Sequence, residues 1–553
     1  MCAIAGIINW QESTDILLDR ISKMSSTLAH RGPDDSGTWV NEGVAIGHRR
    51  LAIIDADNGQ QPMLSTNQRF IITYNGAVYN FRELRQEIGG EFLTDCDTEV
   101  IIKAYEKWGP DCLTKLNGMF SFFIWDTKLR RGFAARDIVG VKPFLYSYTN
   151  HEFRFASEAK ALISESPKAN TEAVLEYLVA PFFSSVESSP FEDIHVLPPG
   201  HYLELSEQAI RIKQWDDIFH QASEEKDIPG LRDTLINSIK RTCIADQPVG
   251  TYLSGGFDST LITAIAQPKT CYSVQFDHHQ EFDQNQSSIV ISDDLPFATY
   301  AAHELGIQHE LVTISQDSLS DRLKRIALQN DLLPAWEQEI AQDALACAAS
   351  NKYKAILVGD AADETHYGYH FLLNARSPAE IISNLSWAPI HKSHLSLPVT
   401  YFNEKYQSQF NSLTSLIVKR WLPRLLHNGD IHAMASGLET RVPFADIELL
   451  KLAERIDPQS GANKAALRSS SRGLLPEKIR TRKKSALPKA PHGGRVYQKI
   501  LESQFLDIAE HWLDMDTFSR SLKKPLLTEP EQALMFRLAA LGHWVEHYNV
   551  SLS

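Results

Sequence analysis

Cys2 stands directly behind the initiator methionine and opens the apolar run Cys2–Ile8. Removal of Met1 would leave a thiol beside a free α-amine. Such an amine titrates at about 7.7–8.0, so it can act as base for its own thiol near neutral pH. A cysteine needs little more help, because its thiolate is intrinsically nucleophilic. A second reactive element is Thr251-Tyr-Leu-Ser-Gly-Gly-Phe-Asp-Ser-Thr260, an apolar strand that runs through a glycine pair into a helix start. Backbone N–H groups of such a turn, with the positive helix end, make a nest for phosphate oxygens. Ser254 and Ser259 add hydroxyl donors, and Asp258 offers a hard oxygen for Mg²⁺. No GxxxxGK[ST] pattern is present here, so the loop is not of the Walker type. A lone Cys2 would read as a buried thiol and a bare Ser-Gly-Gly as an ordinary turn. SGGxDS directly after a strand is a much stronger signal.

Two different scaffolds must position these groups. The first 205 residues hold strand-like runs at Cys2–Ile8, Val44–Ile54, Phe70–Tyr74, Gly132–Arg136 and Glu152–Ala156. Helical periodicity falls at Ile21–Ala29, Phe81–Ile88 and Thr98–Leu116. Clustered strands with few helices predict sheets covered by helices. Leu197-Pro-Pro-Gly-His201 breaks the pattern, and a polar stretch follows around Asp216–Asp227. A boundary there divides the chain into domains at 1–210 and 228–553. Beyond it, strands at Gly250–Leu253, Cys271–Phe276, His309–Ile314 and Ala355–Val358 alternate with helical segments, among them one through Ile265, Ala298–Leu305 and Ile340–Ser350. That alternation predicts a parallel α/β sheet. From about residue 375 the pattern is mostly helical, and Asp277–Asp293 reads as a polar loop.

At 553 residues the chain has room for two cores, and its net charge of −14 repels nucleic acid and anionic membrane. The six cysteines (Cys2, Cys96, Cys112, Cys243, Cys271, Cys347) form no CxxC pair, which points to a reducing compartment. No run of about 18 apolar residues and no basic leader occurs, so a cytoplasmic protein is expected.

The order of further segments carries a resemblance. His30-Arg-Gly-Pro-Asp34, Gly47-His-Arg-Arg-Leu-Ala-Ile-Ile-Asp55, Tyr74-Asn-Gly-Ala-Val-Tyr-Asn80, Asp97-Thr-Glu-Val100, Ala135-Arg-Asp137, Gly140-Val-Lys-Pro143 and Ala156-Ser-Glu-Ala-Lys160 succeed one another. This series resembles the class II glutamine amidotransferase domain, an amino-terminal-nucleophile αββα fold found in the asparagine synthetase B family. The SGGxDS loop resembles the PP-motif of ATP pyrophosphatases. Gly359-Asp-Ala-Ala-Asp-Glu364 resembles the family's GEGADE segment, and Met434-Ala-Ser-Gly-Leu-Glu-Thr-Arg-Val-Pro-Phe444 its HGLEARVPFLD run. Lys464 through Arg468 and Leu475–Lys484 extend the match.

The resemblance implies roles for particular residues. Cys2 is the nucleophile, and the Asn75 side-chain amide with the Gly76 N–H forms an oxyanion hole. Arg50 takes the glutamine α-carboxylate, Asp97 its ammonium, and Ile53 and Ile54 line the pocket through their backbone. Ser254, Gly255, Gly256, Asp258 and Ser259 bind the phosphates of ATP. Leu253, Val274, Val358 and Gly359 contact adenine and ribose. Asp258 and Asp363 hold Mg²⁺, Lys484 neutralises the departing pyrophosphate, and Asp360 touches the acyl-adenylate. Glutamine, ATP and a small carboxylic acid are the implied ligands, and a homodimer is compatible with the resemblance.

Four departures bear on substrate. Ala77 stands where the family carries a glutamate that helps hold the glutamine ammonium. Asp360 replaces the first Glu of GEGADE. Family members grip aspartate with a threonine and an arginine before that strand, but here the stretch reads Gln329-Asn-Asp-Leu-Leu-Pro-Ala-Trp-Glu-Gln-Glu-Ile340, with no arginine between Arg325 and Asp360. A buried dicarboxylate without a cation is costly. Leu332, Leu333 and Trp336 suggest a larger or less charged acceptor, and Tyr-His-Phe after Gly368 is also unlike the family. The expected reaction is amide formation on aspartate or on a specialised carboxylate. Alternatives are an internal ligase like β-lactam synthetase, whose relatives usually lose the terminal cysteine, and an inactive scaffold homologue.

Overall fold

The computed structural model describes residues 2–149, 151–218, 228–282, 292–369, 380, 388–390, 413–458, 460–524 and 526–552. Parts of two expected features, the polar loop Asp277–Asp293 and the boundary stretch Asp216–Asp227, lie outside them, as do His370 and Phe371.

The amino-terminal half contains twelve strands: β1 (Ala3–Asn9), β2 (Asp35–Asn41), β3 (Val44–Arg50), β4 (Met63–Leu64), β5 (Phe70–Val78), β6 (Gly118–Asp126), β7 (Arg131–Arg136), β8 (Leu145–Thr149), β9 (Glu152–Ala156), β10 (His195–Val196), β11 (His201–Leu205) and β12 (Ile210–Gln214). They form two six-stranded sheets, ordered β10-β8-β9-β1-β3-β2 and β12-β11-β7-β6-β5-β4. Strand alternation explains the layering. Ile4 and Ile8 of β1 face inward with Ile46, Ile71, Phe123 and Phe155, filling the space between the sheets. Ala3, Ala5 and Ile7 face outward onto Leu17, Ile21 and Met24 of the helix Thr14–Thr27. On the far side, Ile72, Tyr74, Phe122 and Ile124 pack with Phe81, Leu84, Val100 and Ile101 of the helices Phe81–Ile88 and Asp97–Trp108. The result is the expected αββα sandwich.

Two expected elements end early for visible reasons. β3 stops at Arg50 rather than Ile54, because the Arg50 guanidinium donates to the carbonyls of Ile54, Asp55 and Ala56 and curls the chain around itself. The helix expected to run to Leu116 breaks after Trp108, where Gly109 takes φ +58° and Pro110 follows; a tighter turn covers Gly109–Lys115.

The second half is built on β13 (Val249–Tyr252), β14 (Thr270–Phe276), β15 (Gln308–Ile314), β16 (Ala355–Leu357) and β17 (Glu439–Arg441), in the order β15-β14-β13-β16-β17 with every pairing parallel. The helices Phe257–Ala266, Leu295–Leu305 and Gln338–Ala349 serve as its cover. The helix Glu529–Tyr548 starts with a reciprocal cap between Thr528 and Glu531 and is buried along most of its length. A buried ionic cluster joins the halves: Arg31 contacts Glu158 at 2.8 Å and Asp430 at 2.6 Å, and Lys142 reaches Asp430 at 3.1 Å.

Candidate functional site

β1 delivers Cys2, and β5 delivers Gly76, to one small pocket, with Asn75 of β5 bonded to Cys2 beside it. The Cys2 backbone nitrogen donates to Asn75 Oδ1 at 3.1 Å. That bond fixes the side-chain amide, leaving Asn75 Nδ2 buried with no hydrogen-bond partner among the described residues. A buried unpaired donor is costly, so an amide held this way beside a thiol is poised for a developing oxyanion. Gly76 is required by space: a Cβ there would lie 2.1 Å from the Met119 carbonyl oxygen and 2.8 Å from Phe120 Cα, both backbone of β6. Burial pushes the Cys2 thiol up, while the chain terminus, the Leu51 N–H and Arg50 pull it down.

Arg50, Ile53, Ile54 and Asp97, the residues that the resemblance assigns to glutamine, line the same pocket, and so does Ala77. Arg50 is anchored by the three carbonyls named above. Asp97 opens its helix and accepts from the Tyr74 hydroxyl at 2.8 Å and the Val78 N–H at 2.9 Å. Burial holds its carboxyl above the usual range. Sequence reasoning missed Glu439 and Arg441, which enter this pocket from β17 of the other half. Arg441 Nε donates to Glu439 Oε1 at 2.5 Å, and Glu439 titrates at about 2; burial pushes it up, but the chain terminus, Arg441 and Lys142 pull it below the usual range. A carboxylate thus stands near the position vacated at Ala77, supplied from another strand.

The glycine turn opens on a cavity of about 400 Å³. Gly255 adopts φ +68°, and a Cβ there would meet Ala298 N at 2.3 Å, so the turn packs directly on the helix Leu295–Leu305. Ser259 Oγ accepts from Ser254 N at 3.1 Å and pairs with Ser254 Oγ at 3.0 Å. Asp258 and Asp363 converge here. Lys464 bridges both carboxylates, and Lys484 reaches Asp363 Oδ2 at 2.5 Å. Burial works against ionisation of Asp363, but Lys464 and Lys484 hold it well below the usual range. Asp258 Oδ1 is buried without a hydrogen-bond partner among the described residues. No group of three or more His, Cys, Asp or Glu forms a metal cage among the described residues. Two carboxylates, one with a free oxygen, fit a Mg²⁺ that takes its remaining ligands from phosphates and water.

Val358, Gly359 and Asp360 also line the cavity. Asp360 is raised to about 6, by burial first and by Asp363 and Asp258, with Lys484 opposing. Leu253 and Val274 are not part of that lining. The Leu253 N–H and carbonyl are taken by Tyr272 O and Ser273 Oγ, so its backbone serves the sheet.

Residues 1–216 match the family model described as glutamine amidotransferase domain, and residues 230–546, more than half the chain, match that described as asparagine synthase. The chain belongs to the asparagine synthase family. It is similar to asparagine synthetase (glutamine-hydrolyzing) 3 of Bacillus subtilis (strain 168), 31% identical with 100% of both chains covered. Asparagine synthetase (glutamine-hydrolyzing) 1 of the same organism is 29% identical, over 88% of this chain and 87% of its own. Asparagine synthetase B (glutamine-hydrolyzing) of Escherichia coli (strain K12) is 28% identical, over 88% and 81%. Membership places the chain among glutamine-hydrolysing, ATP-dependent, amide-forming ligases. No helix among the described residues is long and apolar enough to cross a membrane.

Within this asparagine synthase family member, the cavity is larger than the motifs foretell. Phe182, Trp336, Tyr369 and Trp421 line it, together with Pro530, Gln532, Ala533 and Phe536 of the last long helix, where no motif was legible. The residues converge from separate segments, and only Trp336 and Tyr369 stood out in sequence.

Proposed function

We propose that this chain hydrolyses glutamine at Cys2, adenylates a carboxylic acid beside the SGGFDS turn, and joins the two products into an amide. The Cys2 thiolate attacks the glutamine side-chain carbonyl, and the oxyanion settles on Asn75 Nδ2 and the Gly76 N–H. Collapse expels NH₃ and leaves a thioester, which water cleaves to glutamate and free thiol. In the second pocket an acceptor carboxylate oxygen attacks the α-phosphorus of ATP and pyrophosphate leaves. Lys464 and Lys484 offset the charge that accumulates on it. Mg²⁺, held by Asp258 and Asp363, would supply further charge neutralisation between the phosphates. Ammonia then attacks the acyl carbon, AMP departs with the C–O bonding pair, and one proton is released.

The observation that carries this reading is the placement of β17. Its alternate side chains Glu439 and Arg441 line the Cys2 pocket, while Thr440 between them lines the large cavity. The two pockets therefore share a wall one strand thick, which favours internal transfer of ammonia. The complete Cys2 pocket gives neither the internal-ligase reading nor the scaffold reading support. The acceptor is aspartate or a specialised carboxylate. A Cys2→Ala variant tests the scheme: glutamine-driven amide formation should vanish and ammonium-driven formation should persist. Loss of both would defeat the two-site mechanism.

A further inference from the structure

Resting on that reading, we propose that the acceptor is an elongated carboxylic acid with a flat apolar body and a hydrogen-bond acceptor near its far end, not aspartate. The helix Leu422–Met434 sets the geometry. A π-helical turn at Ile417–Trp421 precedes it and places Trp421, Leu425 and Gly429 four residues apart on one face, all lining the cavity. A Cβ on Gly429 would sit 3.6 Å from Asp360 Oδ2, so this end of the face adjoins the carboxylate expected at the acyl carbon. At 1.5 Å per residue, Trp421 lies about 12 Å further along the axis. Aspartate spans less than half of that.

The far end is aromatic. The Phe182 ring lies 4.4 Å from Trp421 and 5.1 Å from Trp336, and Tyr369 lies 5.5 Å from Trp421. Trp421 is 6% exposed, yet its Nε1–H has no hydrogen-bond partner among the described residues. A buried indole N–H ordinarily finds an acceptor, so this one is free for a ligand atom.

Charge argues in the same direction. Lys464, Lys484, Arg482 and Lys489 line the cavity but are paired with Asp258, Asp363, Asp294 and Glu529, and the remaining lining lysine, Lys483, is exposed. The Arg468 guanidinium donates to the carbonyls of Asn463, Arg480 and Arg482. Glu337, Asp360 and Glu364 add buried acid. A second acceptor carboxylate would meet these buried acids, with only the exposed Lys483 and the carbonyl-bound Arg468 as cations lacking a carboxylate partner, whereas a monoacid directs its single carboxyl to ATP and its apolar body to the rings.

The test is ATP–pyrophosphate exchange with 4-(4-methoxyphenyl)butanoate, 4-phenylbutanoate and aspartate, each with Mg²⁺ and labelled pyrophosphate. The expected result is a kcat/KM at least tenfold higher for the methoxyphenyl acid than for aspartate. Trp421→Ala should lower exchange with that acid at least tenfold without changing the KM for ATP, glutamine hydrolysis at Cys2 serving as the check on folding. Trp421→Phe, which keeps a ring and removes the N–H, should retain activity but erase the preference for the methoxy acid over 4-phenylbutanoate. A higher kcat/KM for aspartate than for both aryl acids overturns the proposal. So does a rise in the KM for ATP in Trp421→Ala, because the rings would then serve adenine. Absence of exchange with all three acids in the parent, with glutamine hydrolysis intact, would overturn the present proposal while leaving adenylation of another carboxylate to stand.

Discussion

Replacing Asn75 with alanine separates what this side chain does for catalysis from what it does for the fold. Its Oδ1 holds the Cys2 nitrogen at 3.1 Å, and its Nδ2 is buried without a partner among the described residues. A buried unpaired donor costs about 1–3 kcal/mol, and Asn75→Ala removes that burden. The same change strips the Cys2 nitrogen of its acceptor and leaves a small void, effects of similar size and opposite sign. The net change in stability should therefore be small, within about 1–2 kcal/mol. Catalysis has no such compensation. Loss of one oxyanion donor costs about 2.7–4 kcal/mol in the transition state, or roughly 10²–10³ in kcat. Glutamate release from glutamine should fall by that factor, with KM little changed because the donor serves the tetrahedral state. Amide formation driven by ammonium chloride should be unaffected. A fall of less than fivefold in glutaminase kcat, or a matching fall in the ammonium-driven reaction, would refute the assignment of Nδ2. A large drop in Tm would refute the stability argument.

Two further substitutions probe the second pocket. Asp360 titrates at about 6 in the folded chain because burial disfavours its charged form, against about 3.9 when unfolded. The folded state thus holds the proton more tightly, and stability is lost as pH rises from about 4 through 6. Asp360→Asn removes that loss, so in urea titrations without ligands it should be up to about 3 kcal/mol more stable than the parent at pH 7.5 and equal to it below pH 4. A variant less stable at pH 7.5 would contradict the burial argument. Gly255→Ala forces a side chain onto Ala298 N in a left-handed backbone, which should cost about 1–3 kcal/mol and abolish ATP–pyrophosphate exchange. Glutamine hydrolysis by the same variant should persist, and retained exchange would show that the turn does not hold phosphate.

Strong local periodicity made some elements legible: Phe81–Ile88 and Glu152–Ala156 were readable to the residue. So was the glycine turn with Asp258, because a strand, a glycine pair and a helix start are a local pattern, whereas Asp363 was placed by the likeness of its segment to the family's. The rest was hidden for physical reasons. β17 is three residues long and has no alternation to detect outside its tertiary setting. Glu439 and Arg441 read as a family motif, but that they wall the pocket of Cys2 follows only from how the two halves dock. Trp421 sits in a single π-turn that no composition signals, and its partner Phe182 comes from the other half of the chain.

The three residues Glu439, Thr440 and Arg441 also limit how this molecule can be rearranged by recombination. A gene fragment ending near residue 216 would encode Cys2, Asn75 and Gly76 but omit one side of their enclosure. Swapping in a foreign synthetase half would substitute that side as well, so grafts would inherit altered glutamine handling along with any new acceptor. Lineages that exchange the two halves independently must therefore keep this short edge strand compatible with both.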